Sequence, residues 1–130
     1  MTGPAWPILI DLAKAAQARD LARLAQAERV AKKIGDCIAL LDANLRAEAG
    51  TPGHPGLGAA EDRWRRATEL KRIDLAEKLA TAQTEVDQHR AHAARATARL
   101  EALRELARQD TLRARRLAER RAEAAEIRQA

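Results

Sequence analysis

Glu85, His89 and His92 stand four and three residues apart, a spacing that puts a carboxylate and two imidazoles on one face of a helix. Such groups ligate zinc, but a closed zinc site takes four ligands and no fourth suggests itself here. The competing reading is a polar side chain, His89, at a helix seam with a solvated neighbour. Cys37 is the only cysteine. A reactive thiol needs a positive surround or a helix N-terminus. Cys37 lies late in a helical stretch beside Asp36, so it reads as inert and half-buried. A single cysteine excludes an internal disulfide framework and suits a reducing compartment. The chain has no serine. The segment TPGHPGLG at 51–58 lacks the lysine and the strand–loop–helix setting of a phosphate cradle. No carboxylate pair has a pocket to work in. The expectation is a protein that is not an enzyme, with no catalytic, cofactor-binding or metal-binding residues and no cofactor.

Two arginine clusters remain: Arg63, Arg65 and Arg66, then Arg113, Arg115, Arg116, Arg120 and Arg121. Arginine at this density can meet phosphate backbones. Glu61, Asp62, Glu69, Glu119 and Glu123 are mixed among them, however, which is the pattern of a solvated helix face. The basic end equally suits an acidic protein surface. Trp64 stands in the first cluster. It either covers the end of a helix pair near Leu41 and Leu45 or stands out as a binding anchor, a role in which Trp and Arg are enriched.

The elements that position these groups follow from composition and periodicity. The 130 residues allow one domain, with no Phe, no Tyr and two Trp. Ala, Glu, Lys, Leu and Arg dominate, as in long helices and coiled coils. The net charge of +5 comes from 24 basic against 19 acidic side chains, a modest excess on a heavily charged surface. No apolar stretch approaches the ~20 residues needed to span a bilayer, and Met1–Leu12 lacks a basic leader, so neither membrane insertion nor a secretory signal is expected.

Four glycines and two prolines fall between Gly50 and Gly58 and break an otherwise helical chain. The predicted fold is all-α: a two-helix antiparallel coiled-coil hairpin with a longer second helix, one domain over 1–130. Helix 1 is expected over about 8–49, the loop over 50–58 and helix 2 over about 59–127. Residues 1–7 read as an irregular lead, with Pro7 suited to the first helical turn, and Gly50 as a left-handed cap. One heptad frame puts Ile10, Ala13, Gln17, Asp20, Leu24, Ala27, Ala31, Ile34, Ile38, Leu41 and Leu45 on the seam of helix 1. It is weak at Gln17 and Asp20, where Leu21 offers a substitute. Gly35 costs ~1 kcal/mol in mid-helix relative to Ala, which a bend or a close helix crossing would explain. The frame of helix 2 runs Leu75, Leu79, Ala82, Val86, His89, Ala93, Ala96, Leu100, Leu103, Ala107, Asp110, Ala114, Leu117 and Ala124. Folding about the loop centre sets residue i opposite roughly 109−i, placing Leu45 near Trp64 and Ile10 near Leu100. Everything past about Leu103 then has no partner in the chain, yet it carries Leu106, Leu112, Leu117 and Ile127. Apolar side chains on an unpaired helix ask for a second protein or for self-association.

LIDLAKAAQARDLARL near the start, LLDANLRAE before the Gly-rich break and DRW opening the second helix together resemble the FliJ family, the stalk proteins of flagellar type III export. The resemblance covers Leu9 to about Arg121. It implies a cytoplasmic antiparallel coiled coil, similar to the central stalk of rotary ATPases and peripheral to the inner-membrane export apparatus. Its implied partners are the export ATPase hexamer, export chaperones and the cytoplasmic domain of the export gate. Carried over, the ATPase-ring end is Ile8, Leu9, Ile10, Leu12, Leu112, Leu117 and Ile127. The gate end is Leu41, Leu45, Trp64, Leu70 and Ile73. The chain departs from the family in lacking Tyr and Phe where the gate-facing surface often has them. The expected function is a non-enzymatic stalk or adaptor of that machine, without nucleic-acid binding. The alternative is a generic coiled-coil scaffold that homodimerises through its overhang, or an arginine-mediated nucleic-acid binder.

Overall fold

Ala-, Leu-, Arg- and Glu-rich segments lose little on entering a helix, and the chain takes that option almost everywhere. The computed structural model describes residues 5–49 and 58–129, all helical except Ala5. Helix α1 spans Trp6–Ala49 and helix α2 spans Gly58–Gln129. The two pair as an antiparallel hairpin with the longer helix second. The expected Gly50 cap and the loop at 51–57 lie outside the described residues. Ala5 opens α1: its carbonyl accepts from the amides of Ile8 and Leu9, both at 3.1 Å. Pro7 falls in the first turn, where a missing N–H leaves no bond unmade. Trp6 belongs to the helix rather than to an irregular lead.

By internal packing the chain divides into two compact units. One takes in Met1–Asp20 and His92–Ala130, the other Leu21–Ala91. In the first unit the seam mixes alanines with larger side chains. Ala93, Ala96 and Leu100 are buried, with Ile10, Ala13, Gln17, Leu103, Ala107 and Asp110 half-buried around them. Alanines let two helices approach closely but bury little area each, so alignment falls to a few polar contacts. The Trp6 indole N–H donates to Asp110 Oδ2 at 3.0 Å, and Gln17 Nε2 donates to Thr97 Oγ1 at 3.0 Å. Asp20 keeps its seam position with a side chain only 14% exposed. Leu21 does not replace it: it flanks the seam and is 46% exposed.

The second unit has the same construction. Ala27, Ala82 and Val86 are buried, and Leu24, Ala31, Ile34, Ile38, Leu41, Leu45, Leu75 and Leu79 are half-buried along the predicted frame. Thr68 is buried too, its hydroxyl donating to the Trp64 carbonyl at 2.8 Å and so satisfied within its own helix. Arg72 forks onto Asp42, with Nε to Oδ1 at 2.5 Å and Nη2 to Oδ2 at 3.3 Å. Glu28 and Arg90 meet across the helices at 4.0 Å. Among the described residues no buried side-chain nitrogen or oxygen lacks a partner.

These pairings correct the expected register. The pairs 6/110 and 17/97 in one unit, and 28/90 and 42/72 in the other, have residue numbers totalling 114 to 118 rather than 109. Side-chain matching along the seam, not the midpoint of the loop, sets the alignment. Leu45 and Ile10 therefore do not face Trp64 and Leu100, and the paired part of α2 reaches Asp110 instead of stopping near Leu103. Beyond Leu112 every described residue is exposed, Arg113 to Gln129, including the predicted seam residues Ala114, Leu117 and Ala124. Gly35 marks no close helix crossing: a Cβ built there meets nothing within 4 Å.

Two outcomes test this packing. Gly35→Ala should stabilise the hairpin by ~1 kcal/mol, raising the melting temperature by about 4 °C in a circular-dichroism melt; a fall would mean the position needs a missing side chain. The second concerns Asp42, whose carboxyl is held below the ordinary carboxylate range, chiefly by the hydrogen bond from Arg72 and also by the charges of Arg72 and Arg46. A depressed folded-state pKa contributes stability that is present above the unfolded value and lost as pH falls through the folded one. Asp42→Asn should thus melt below the parent near pH 7, and the two curves should converge at about pH 2. A gap that stays constant across that range would show that the charge of Asp42 contributes nothing.

Candidate functional site

The candidate groups described below lie on open surfaces of the two helices. The grooves between α1 and α2 in the second unit are open and mixed in character. One is lined by Val30, Ile34, Asp74, Lys78, Ala82 and Glu85 among others, another by Glu28, Ala31, Val86 and Arg90. The Thr81 hydroxyl at the first groove donates to the Glu77 backbone carbonyl at 3.3 Å. Glu85 and His92 are exposed and His89 is half-buried, and among the described residues no group of three or more His, Cys, Asp or Glu is placed to hold a metal ion. Cys37 is exposed, not half-buried as expected, on the flank of the seam beside Ile38.

The seven residues assigned to a ring end all belong to the first unit. Ile8, Leu9 and Leu12 are 62%, 39% and 63% exposed and form an apolar shoulder on the first two turns of α1. Ile10 is half-buried, turned toward α2. Leu117 and Ile127 stand out on the unpaired part of α2 at 46% and 77% exposure, and Leu106 joins them at 49% on nearly the same face as Leu117. Leu112 is half-buried on another side of the helix. The set is thus one exposed shoulder on α1 and one sparse stripe on α2, with Ile10 and Leu112 engaged in the hairpin.

The five residues assigned to a gate end all belong to the second unit and separate into two groups. Leu41 and Leu45 are half-buried in the seam and serve packing. Leu70 and Ile73, 64% and 56% exposed, project from the face of α2 opposite Thr68, Leu75 and Leu79. Helix geometry puts about half a turn between the two groups, so they do not make one surface. Trp64 is 41% exposed beside a groove lined by Glu48, Ala60 and Glu61. It covers part of that end of the helix pair while leaving its ring accessible.

Charge is distributed unevenly along α2. Between Glu61 and Asp110 acids and bases alternate, and several are stitched within the helix: Asp74 to Lys78 at 3.1 Å, Asp87 to Arg90 at 3.4 Å, Glu105 to Arg108 at 2.6 Å. Hydrogen bonds from Arg108 and then Gln109 hold the Glu105 carboxyl below its ordinary range. Past Leu112 there are six arginines against three glutamates, all on exposed positions as far as Gln129.

The sequence frame of helix 2 began at Leu75 and so stopped short of Thr68 and Arg72. Counting back seven residues from Leu75 finds Thr68, and three finds Arg72. Nothing local marks the Trp6–Asp110 contact, which joins residues 104 apart. Among the described residues no helix is long and apolar enough to cross a membrane. No protein-family model, no curated protein and no solved structure matches this chain.

Proposed function

We propose that this chain is a non-enzymatic stalk or adaptor of the type III protein export apparatus, of the flagellar kind. It would work in the cytoplasm beside the inner-membrane export machinery. The first unit engages the export ATPase hexamer through Ile8, Leu9, Leu12, Leu117 and Ile127. The second presents Trp64, Leu70 and Ile73 to the cytoplasmic domain of the export gate, and export chaperones bind along the hairpin. The observation that carries the reading is the two-helix hairpin whose second helix continues exposed past the start of the first, with uncovered aliphatic side chains on both helices at that end. A monomer gains nothing by holding large aliphatics in water at these positions; a ring that closes around them removes the cost, at about 1.5–3 kcal/mol for each one fully buried. The resemblance of the LIDLAKAAQARDLARL, LLDANLRAE and DRW segments to FliJ-family sequences supports the identity of that ring.

On this reading the chain supplies no catalytic group. It acts by stabilising the assembled hexamer and by favouring those subunit arrangements that fit its surface, which is mass action on the ring. Titrating the purified flagellar export ATPase with this protein should raise both the hexamer fraction and the rate of ATP hydrolysis. Leu9→Asp with Leu12→Asp should shift the half-maximal concentration upward by roughly tenfold or more while leaving the helical circular-dichroism signal intact. Unchanged hydrolysis and unchanged assembly at stoichiometric protein would remove this function.

A further inference from the structure

Within the hairpin the α2 seam is carried by Leu, Val and Ala, with His89 and Asp110 as its polar members between Leu75 and Asp110. Followed onward at the same spacing, the seam becomes Ala114, Leu117, Arg121, Ala124 and Arg128, and Arg113 and Arg120 flank it one residue before seam positions. Glu119, Glu123 and Glu126 fall on the other side of the helix. The charged groups on the continued pairing face are therefore all arginines, set among Ala114, Leu117 and Ala124, and all of it is exposed.

We infer that this face, Arg113 to Arg128, docks an acidic α-helix of another protein, one that offers glutamate or aspartate at seam-flanking positions around small apolar residues. Three features favour that occupant. A second copy of this chain would set Arg121 and its neighbours against another arginine-rich strip, and like charges facing one another destabilise a helix pair. Leu117, flanked by Ala114, Ala118, Ala124 and Ala125, leaves a shallow relief into which a neighbouring helix can lay its side chains. Such relief adds nothing to the binding of a polyanion. The opposite side, where Glu119, Glu123 and Glu126 offset Arg115 and Arg116, also offers little attraction to a groove or surface that wraps the helix, as duplex DNA or an anionic bilayer would. Arginine suits the role because its fork takes a carboxylate bidentately. The inference deepens the ring-end reading by giving the chemistry of the surface that meets α2, and it rests on that reading only for which protein carries the acidic helix.

The test uses the full chain and synthetic helices of three heptads, with Ala and Leu on the seam and either Glu or Lys at the flanking positions. Fluorescence anisotropy of the labelled peptides reads binding. The Glu helix should bind and weaken by roughly tenfold or more between about 0.05 M and about 0.5 M salt, and the Lys helix should not bind. The triple variant R113E/R120E/R121E should lose the Glu helix and gain the Lys helix, an exchange that a misfolded variant cannot produce. Leu117→Lys should weaken the Glu helix even though it adds a positive charge. Equal binding of both helices, no binding of the Glu helix, or tighter binding to duplex DNA or to phosphatidylglycerol vesicles than to the Glu helix would overturn the inference. So would a stable dimer of the full chain by sedimentation that the triple variant abolishes. None of these readouts involves the export ATPase, so an ATPase titration without effect would leave the acidic-helix result standing, and the reverse.

Discussion

Everything in this hairpin depends on a narrow seam in which alanines interrupt the larger aliphatics. The alanines let α1 and α2 approach closely, but each removes little apolar surface from water. Among the described residues the large aliphatics that count as buried are Val86 and Leu100, and neither is completely shielded. With so little area per layer, neighbouring registers differ by little in hydrophobic energy, and directional contacts decide among them. Trp6 to Asp110, Gln17 to Thr97 and Arg72 to Asp42 each require one alignment, and sliding the helices by a turn would separate all three. The polar groups on the seam are thus not defects in a hydrophobic interface. They define it, as a buried polar side chain does in other helix pairs.

That division of labour explains what could be read in advance. The helices themselves were plain, since a run of strong helix formers is punctuated once between residues 50 and 58. So was the side of each helix that turns inward: from Ile10 to Leu45 and from Leu75 to Asp110 every position of the heptad frame is buried or half-buried. The alignment of one helix against the other was not legible. It is held by pairs such as 6/110 and 42/72, whose members are remote in sequence and unremarkable one at a time. Assuming a symmetric turn gave an offset of several residues, and with it an overhang that began too early.

The candidate surfaces show a similar split. Exposed aliphatics at Ile8, Leu12, Leu70, Ile73, Leu117 and Ile127 follow from their places outside the frame or beyond the paired length. Leu41 and Leu45 are half-buried on the seam. Cys37 went the other way, exposed on the flank of the seam beside Ile38. The change of α2 from an apolar to an arginine-bearing face past Ala114 is visible in the sequence only once the end of the paired length is known.

The placement of the tryptophans has a practical consequence. One indole, Trp6, lies in the first unit against Asp110, and the other, Trp64, lies in the second beside Glu48. With no tyrosine in the chain, ultraviolet emission comes from these two chromophores alone. Replacing either by leucine leaves a single-emitter protein, so the opening of each half can be followed by its own optical signal without an added dye.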